Sequence, residues 1–282
     1  MNILSLEKKT QVISSLVEGN SIRATCRMTG AAKGTVTRLL ANVGKTCAEY
    51  QDVVLRNLPC KQIQCDEIWS FCYAKDKNVP ERYRGKFGYG DVWTWTAIDA
   101  DTKLVPSWLI GLRDAPNAYR FMQDLKKRLA NRVQITTDGH SSYLWAVENV
   151  FGSEVDYAML VKLYGQQPDG EKRYSPAQCI ATRQQVLQGN PDTSKISTSY
   201  VERQNLTMRM NMRRLTRLTN AFSKKIENLE YAIALHFMYY NFCRPHTTLN
   251  LKRNLGITPA MAAGAANRAW TIEDIIYLTN SN

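Results

Sequence analysis

The order of hydrophobic patterns predicts an α/β protein in which a mixed β-sheet is flanked by helices and preceded by a small helical module. Three observations carry this expectation. Before about residue 50 apolar side chains recur every three to four positions; from Gln62 to Asp99 the pattern turns β-prone; beyond Asp114 strand and helix patterns alternate. At 282 residues the chain has room for one sizeable core and a companion module. With 44% apolar and 22% charged residues, it is not collagen-like, mucin-like or wholly disordered.

Leu6, Val12, Ile13, Leu16 and Val17 fit one helix face, and Glu18-Gly19-Asn20 supplies a stop. Ser21 can cap a second helix over Ile22 to Met28, Gly30 turns the chain, and Thr35, Val36, Leu39, Leu40 and Val43 mark a third. This is a helix-turn-helix pattern whose third helix would lie in a DNA major groove, with Lys33, Thr35, Thr37 and Arg38 facing the DNA. The same pattern also suits a small bundle packed on another element. Tyr50 to Lys61, with Pro59, reads as a connector.

Gln62 to Phe71 and Val92 to Asp99 read as adjacent strands, and Leu104 to Gly111 as a third. Asp114-Ala115-Pro116 opens a helix through Arg128. A strand over Arg132 to Thr137, a helix over Ser141 to Phe151 and a strand over Asp156 to Leu163 follow, which is the order of a ribonuclease-H-like core. The expected organisation is a helix-turn-helix module at 1–49, a linker at 50–61, the catalytic domain at 62–249 with an insert near 163–197, and a helical tail at 250–282. In that tail Trp270, Ile275 and Ile276 suggest packing or self-association.

Lys and Arg total 37 against 25 Asp and Glu, a formal charge of +12, which favours polyanionic partners. Between Arg203 and Lys225 the basic residues Arg203, Arg209, Arg213, Arg214, Arg217, Lys224 and Lys225 are accompanied by no acid. Arg209, Arg213, Arg214 and Arg217 are the expected phosphate track. No run approaches the roughly 18 apolar residues of a membrane span and Glu7, Lys8 and Lys9 interrupt the start, so a cytoplasmic, non-membrane protein is expected. The seven cysteines contain no Cys-x-x-Cys pair and suggest neither a disulfide framework nor a zinc ribbon.

Asp66 falls inside a hydrophobic strand, where a buried charge needs a partner or a metal. Asp138 ends the fourth strand, and Glu202 lies just inside a helix starting near Ser199. In a ribonuclease-H-like sheet the first and fourth strands are neighbours, so Asp66 and Asp138 can meet while Glu202 approaches from a helix. Three such carboxylates suit two Mg²⁺ or Mn²⁺ ions, about 3.5–4 Å apart, for phosphoryl transfer. Strand alternation turns Glu67 to the other face, as a structural or supporting group. Glu202, Asn205 and Arg209 share one helix face. His140 can orient a phosphate or close a turn, and Asn241, Arg244 and His246 read as packing for the last core helix, Lys225 to Arg244.

The motifs CDEIWSF (Cys65 to Phe71), TTDGH (Thr136 to His140) and TSYVERQNLTMRM (Thr198 to Met210) together resemble the insertion-sequence-one family of bacterial transposases. NAFSKKIEN (Asn220 to Asn228) and YYNFCRPH (Tyr239 to His246) strengthen the resemblance, which covers Gln62 to Leu249. It implies an Asp-Asp-Glu transposase that cuts element ends with divalent metal and joins the freed 3′-hydroxyl to target DNA. Asp66, Asp138 and Glu202 would be its acids, double-stranded DNA its partner, and a homodimer on DNA its assembly. Two departures stand out: position 202 comes 64 positions after position 138, a longer interval than in the family's short members, and no cysteine-rich module opens the chain. A silent, domesticated DNA-binding regulator and a nuclease that hydrolyses without joining share the same residues.

Overall fold

The computed structural model describes residues 4–165, 179–217, 219–250 and 256–280. Three helices open the chain: α1 (Leu6–Val17), α2 (Ile22–Thr29) and α3 (Lys33–Val54). The Ser5 and Ser21 side chains accept from the amides of Lys8 and Ala24, satisfying donors left open at helix starts. Gly30 ends α2 at φ 70°, in the left-handed region that closes the turn before α3.

Helix α3 is longer than its sequence pattern suggests and takes in Tyr50 to Val54, read above as connector. The cause is tertiary. The Gln51 side-chain amide donates to the Cys47 carbonyl within α3 and to the Ala234 carbonyl on α7 (Ile226–Met238). Gly44 makes the approach possible, because a Cβ there would lie 2.4 Å from the Tyr231 carbonyl oxygen. Val43 and Cys47 therefore share one buried cluster with the sheet residues Ile63 and Cys65.

The sheet has six strands in the order β3-β2-β1-β4-β5-β6. They are β1 (Gln62–Cys72), β2 (Gly90–Asp99), β3 (Ser107–Gly111), β4 (Val133–Thr137), β5 (Val155–Tyr164) and β6 (Cys179–Gln188). Strands β1 to β3 are antiparallel neighbours; β4 and β5 run parallel to β1; β6 returns antiparallel to β5. Helices α4 (Ala115–Arg128) and α5 (Ser142–Phe151) provide the parallel crossovers. Asp114 caps α4 by accepting from the Asn117 amide, and Pro116 fits its first turn. The architecture is thus the expected mixed sheet flanked by helices. Strand β6 goes beyond the sequence expectation: its CIATRQQVLQ string is mostly exposed and lacks alternation, so pairing with β5 makes it a strand. It occupies part of the insert expected at 163–197, whose residues 166–178 lie outside the described residues.

The faces of β1 are covered differently. Cys65 packs among residues of α4 and α5, including Phe121 and Tyr143. Ile68 and Cys72 pack with Val201 and Met208 of α6 (Ser199–Asn211) and Ile233 of α7. Odd-numbered positions face α5 and even-numbered positions face α6, as a two-residue period requires. A π-helical turn, Tyr239–Cys243, continues α7. Within it the fully buried Asn241 accepts from the Val105 amide and donates to its carbonyl, the packing role expected for it. Short helices α8 (Thr247–Asn250), α9 (Pro259–Ala262) and α10 (Ile272–Tyr277) follow. Ile275 and Ile276 are fully buried, while Trp270 packs on Tyr50 and Phe242, so this segment seals the module onto the core. Residues 251–255 of the expected tail lie outside the described residues.

Candidate metal centre and nucleic-acid interface

The parallel register pairs Cys65 with Thr137, so the next residues on each strand, Asp66 and Asp138, emerge side by side. Carboxylate oxygens of Asp66, Glu67 and Asp138 all lie within 4.8 Å of one another. Glu67 does leave the opposite face of β1, as strand alternation requires, yet it reaches the same cluster because Asp138 sits where β4 has ended. Three acids this close repel one another unless protonated or compensated. Burial first, then the Glu67 and Asp138 charges, push the Asp66 carboxyl up to about 7, with Glu202 adding to the rise.

Each acid is held by a different set of donors. Asp66 Oδ1 accepts from the Glu67 amide, and Oδ2 from Asn205 Nδ2 of α6 at 2.8 Å. Asp138 Oδ1 accepts from the His140 amide, which fixes the turn after β4. The Glu67 carboxylate, 1% exposed, accepts from Arg113 Nε at 2.6 Å and from the Tyr143 hydroxyl at 3.0 Å. Arg113 also reaches Asp138 Oδ2 at 3.4 Å. The His140 ring stacks on Trp95, and its Nε2 is buried without a hydrogen bond, 3.7 Å from Glu67 Oε1. Burial, followed by the Arg113 charge, holds this imidazole below its ordinary pKa.

Glu202 lies one turn before Asn205 on the same side of α6, facing the Asp66 side of β1. Lys162 Nζ of β5 meets its Oε2 at 2.5 Å, and the Thr198 hydroxyl donates to Oε1. The structure thus gathers Asp66 and Asp138 into one cluster with Glu67, and sets Glu202 beside it in a salt bridge to Lys162. Arg113, Tyr143 and Lys162 escaped the sequence reading. Of these only Lys162 left a trace, as a cation inside an apolar strand that calls for a facing acid.

The arginines after α6 divide in two. Arg209 Nη1 donates to the Leu215 carbonyl and Arg214 Nη1 to the Ser223 hydroxyl, so both organise the segment itself. Burial, then Arg217, brings Arg209 down to about 10. Arg213 and Arg217 are exposed. At the start of α3, Lys33 and Arg38 are exposed and Thr35 is half-buried; half-buried Thr37 donates its hydroxyl to the Lys33 carbonyl. Met208 and Met212 are buried in the α6–α7 layer, whereas Met210 is exposed. Among the described residues no helix is long and apolar enough to cross a membrane.

Residues 181–242 match the family model described as IS1 transposase. The resemblance to IS1 transposases is thereby shown. The matched stretch, under a quarter of the chain, holds most of β6, Glu202 and Asn205 on α6, the arginine-rich segment and α7. No curated protein matches the chain. Solved structures that resemble it include the Mos1 strand transfer complex, at 12% identity and a TM-score of 0.23, covering 55% of this chain and 59% of that one. A piggyBac transposase synaptic complex with hairpin DNA aligns at 11% identity and a TM-score of 0.39, over 98% of this chain and 70% of that one. A pre-cleavage Mos1 transpososome aligns at 9% identity and a TM-score of 0.21, over 56% and 60%. The chain therefore spans less than two thirds of the length of the Mos1 chains it matches.

Proposed function

We propose that the protein is a DNA transposase: a ribonuclease-H-like catalytic core, preceded by a helix-turn-helix module, cuts the ends of an insertion sequence and joins them to target DNA. The carrying observation is the meeting within 4.8 Å of Asp66 and Glu67, in the middle of β1, with Asp138, just past the end of its parallel neighbour β4, beside the helix that bears Glu202. The IS1 family match over that helix supports the same reading.

The donor set fits hard divalent cations, being carboxylate oxygens crowded enough to raise the Asp66 pKa. Asp66, Asp138 and Glu202 would hold two Mg²⁺ or Mn²⁺ ions. Such ions activate an attacking oxygen and stabilise a leaving oxygen at phosphorus. Asn205 fixes the Asp66 carboxylate by holding Oδ2, and Arg113 and Tyr143 occupy both oxygens of Glu67, leaving Glu67 to brace Arg113 against the cluster. Arg113, 42% exposed, presents its remaining guanidinium surface where a scissile phosphate would lie. Lys162 compensates Glu202, one of the residues that would hold the ions. Lys33, Thr35, Thr37 and Arg38 would read element-end DNA, and Arg213 and Arg217 would contact phosphates.

The test uses duplexes carrying the inverted repeats that flank the gene, labelled at the 3′ end that cleavage frees. Covalent attachment of label to target DNA in Mg²⁺ is expected. Label recovered only as hydrolysed ends would replace transposition with simple nuclease action, and uncut DNA would leave a DNA-binding regulator.

A further inference from the structure

We propose that the arm between β1 and β2, residues Tyr73 to Tyr89, forms with the segment Ser223 to Lys225 a second binding site, for the backbone of duplex DNA about six base pairs from the bond being cut. The site rests on the transposase reading for its distance from the reacting phosphate, but its cations stand independently of it. Neither the helix-turn-helix residues nor the arginines after α6 belong to it.

The arm is a fixed platform. Tyr83 and Tyr89 stack with centroids 4.3 Å apart and planes 7° from parallel, and Tyr73 meets both edge-on. The Tyr73 amide donates to the Ser223 carbonyl at 2.8 Å, and Cys72 bridges Ser223, so the arm and the neighbouring segment are joined as an added edge. Gly88 allows the close fit: at φ 87° it would place a Cβ 3.2 Å from Ile226.

This platform carries an excess of positive charge. Lys75, Lys77, Arg82, Arg84 and Lys86 are all exposed on the arm, and Lys224 and Lys225 are exposed beside it. Glu81 compensates only Arg84, at 2.6 Å. Aromatic rings position three of the others: Arg82 lies 4.7 Å and Lys86 5.9 Å from the Tyr83 ring centre, and Lys224 4.3 Å from that of Phe222. Cations held on rings lose less side-chain freedom when they meet a phosphate. Phe87 is the exposed large apolar side chain of the arm, so the surface lacks the apolar centre of a protein interface.

Position selects the partner. β1 runs six residues from Asp66 to Cys72, about 20 Å at roughly 3.3 Å per residue. Phosphates repeat about every 3.4 Å along each DNA strand, so a duplex engaged at the carboxylates and following β1 arrives at the arm about six base pairs away.

The test measures affinity against salt for the full chain, using duplexes that extend about 3 or about 12 base pairs beyond the cleavage point, with the variant Lys75→Ala/Lys77→Ala/Arg82→Ala/Lys86→Ala. On the long duplex the slope of log affinity against log salt should fall by about 3 to 4, roughly one for each phosphate left without its cation, and on the short duplex it should stay unchanged. An unchanged slope on the long duplex overturns the site, and an equal fall on both duplexes overturns its placement. Should the fourfold variant misfold, Lys77→Glu alone on the exposed turn should lower the long-duplex slope by about 1, with no change again refuting the site. Cleavage by the unaltered protein is scored separately, so a failed transposase reading and a failed arm give different results.

Discussion

Replacing Asp66 with asparagine should stabilise the metal-free protein at the same time as it ends catalysis. A carboxyl raised from its usual 3.8 to about 7 favours its neutral form by about 4 kcal/mol, at roughly 1.4 kcal/mol per pH unit. Because the folded value exceeds the unfolded one, this penalty is absent below pH 4, grows between pH 4 and 7, and is complete above pH 7. Relaxation and water at this half-buried site reduce it to about 2 kcal/mol. An amide keeps the bond from the Glu67 backbone, and its nitrogen can donate to Asn205 if that side chain flips, since Asn205 Oδ1 is buried without a partner. Urea unfolding in chelator should therefore show Asp66→Asn about 2 kcal/mol more stable than the parent at pH 8 and equal to it at pH 3.5. Millimolar Mn²⁺ should raise the parent and leave the variant unmoved, through selective binding to the folded state. A variant less stable than the parent at pH 8 in chelator would refute the claim that these acids repel one another.

Other consequences follow from particular contacts. Gly44→Ala drives a methyl into the Tyr231 backbone and should cost about 1–3 kcal/mol in unfolding free energy, measured by denaturant titration. Glu67→Gln removes a carboxylate whose own pKa is raised by burial and then by Asp138, in spite of Arg113 at 2.6 Å; it should lower the Asp66 pKa, read from the side-chain carboxyl resonance in chelator. Asp274 is held well below its usual value, first by hydrogen bonds from Arg268 and then by the Thr271 cap. Its contribution is complete above pH 4 and shrinks as the pH falls below that, so the stability gap between the parent and Asp274→Asn should narrow steadily from pH 4 to pH 2.

The residues most legible in the sequence were those whose chemistry clashes with their surroundings. Asp66 stands among strand residues otherwise suited to burial, and Asp138 follows five β-prone residues; parallel pairing of their strands sufficed to bring them together. The capped helices were equally legible where Ser21 and Asp114 act within three residues of their own position. What stayed hidden depends on distant partners. The last turns of α3 rest on Gln51 reaching Ala234, β6 is a strand because β5 lies beside it, and Arg113 meets Glu67 across 46 positions. Strand alternation assigned Glu67 its correct face, yet a period of two cannot tell that the neighbouring strand stops there and lets the acids converge. The arm from Tyr73 to Tyr89 carried its signal as scattered charge, and only the stacking of its tyrosines shows those cations sharing one platform.

The most direct measurement of the central claim is Mg²⁺-dependent cleavage of element-end DNA by Asp66→Asn, Asp138→Asn and Glu202→Gln, each assayed alongside its affinity for the same duplex. Loss of cutting in all three with affinity within about threefold of the parent is the result predicted for carboxylates that serve the reaction together. Cutting at the parent's rate by any one of them would contradict its membership in the centre.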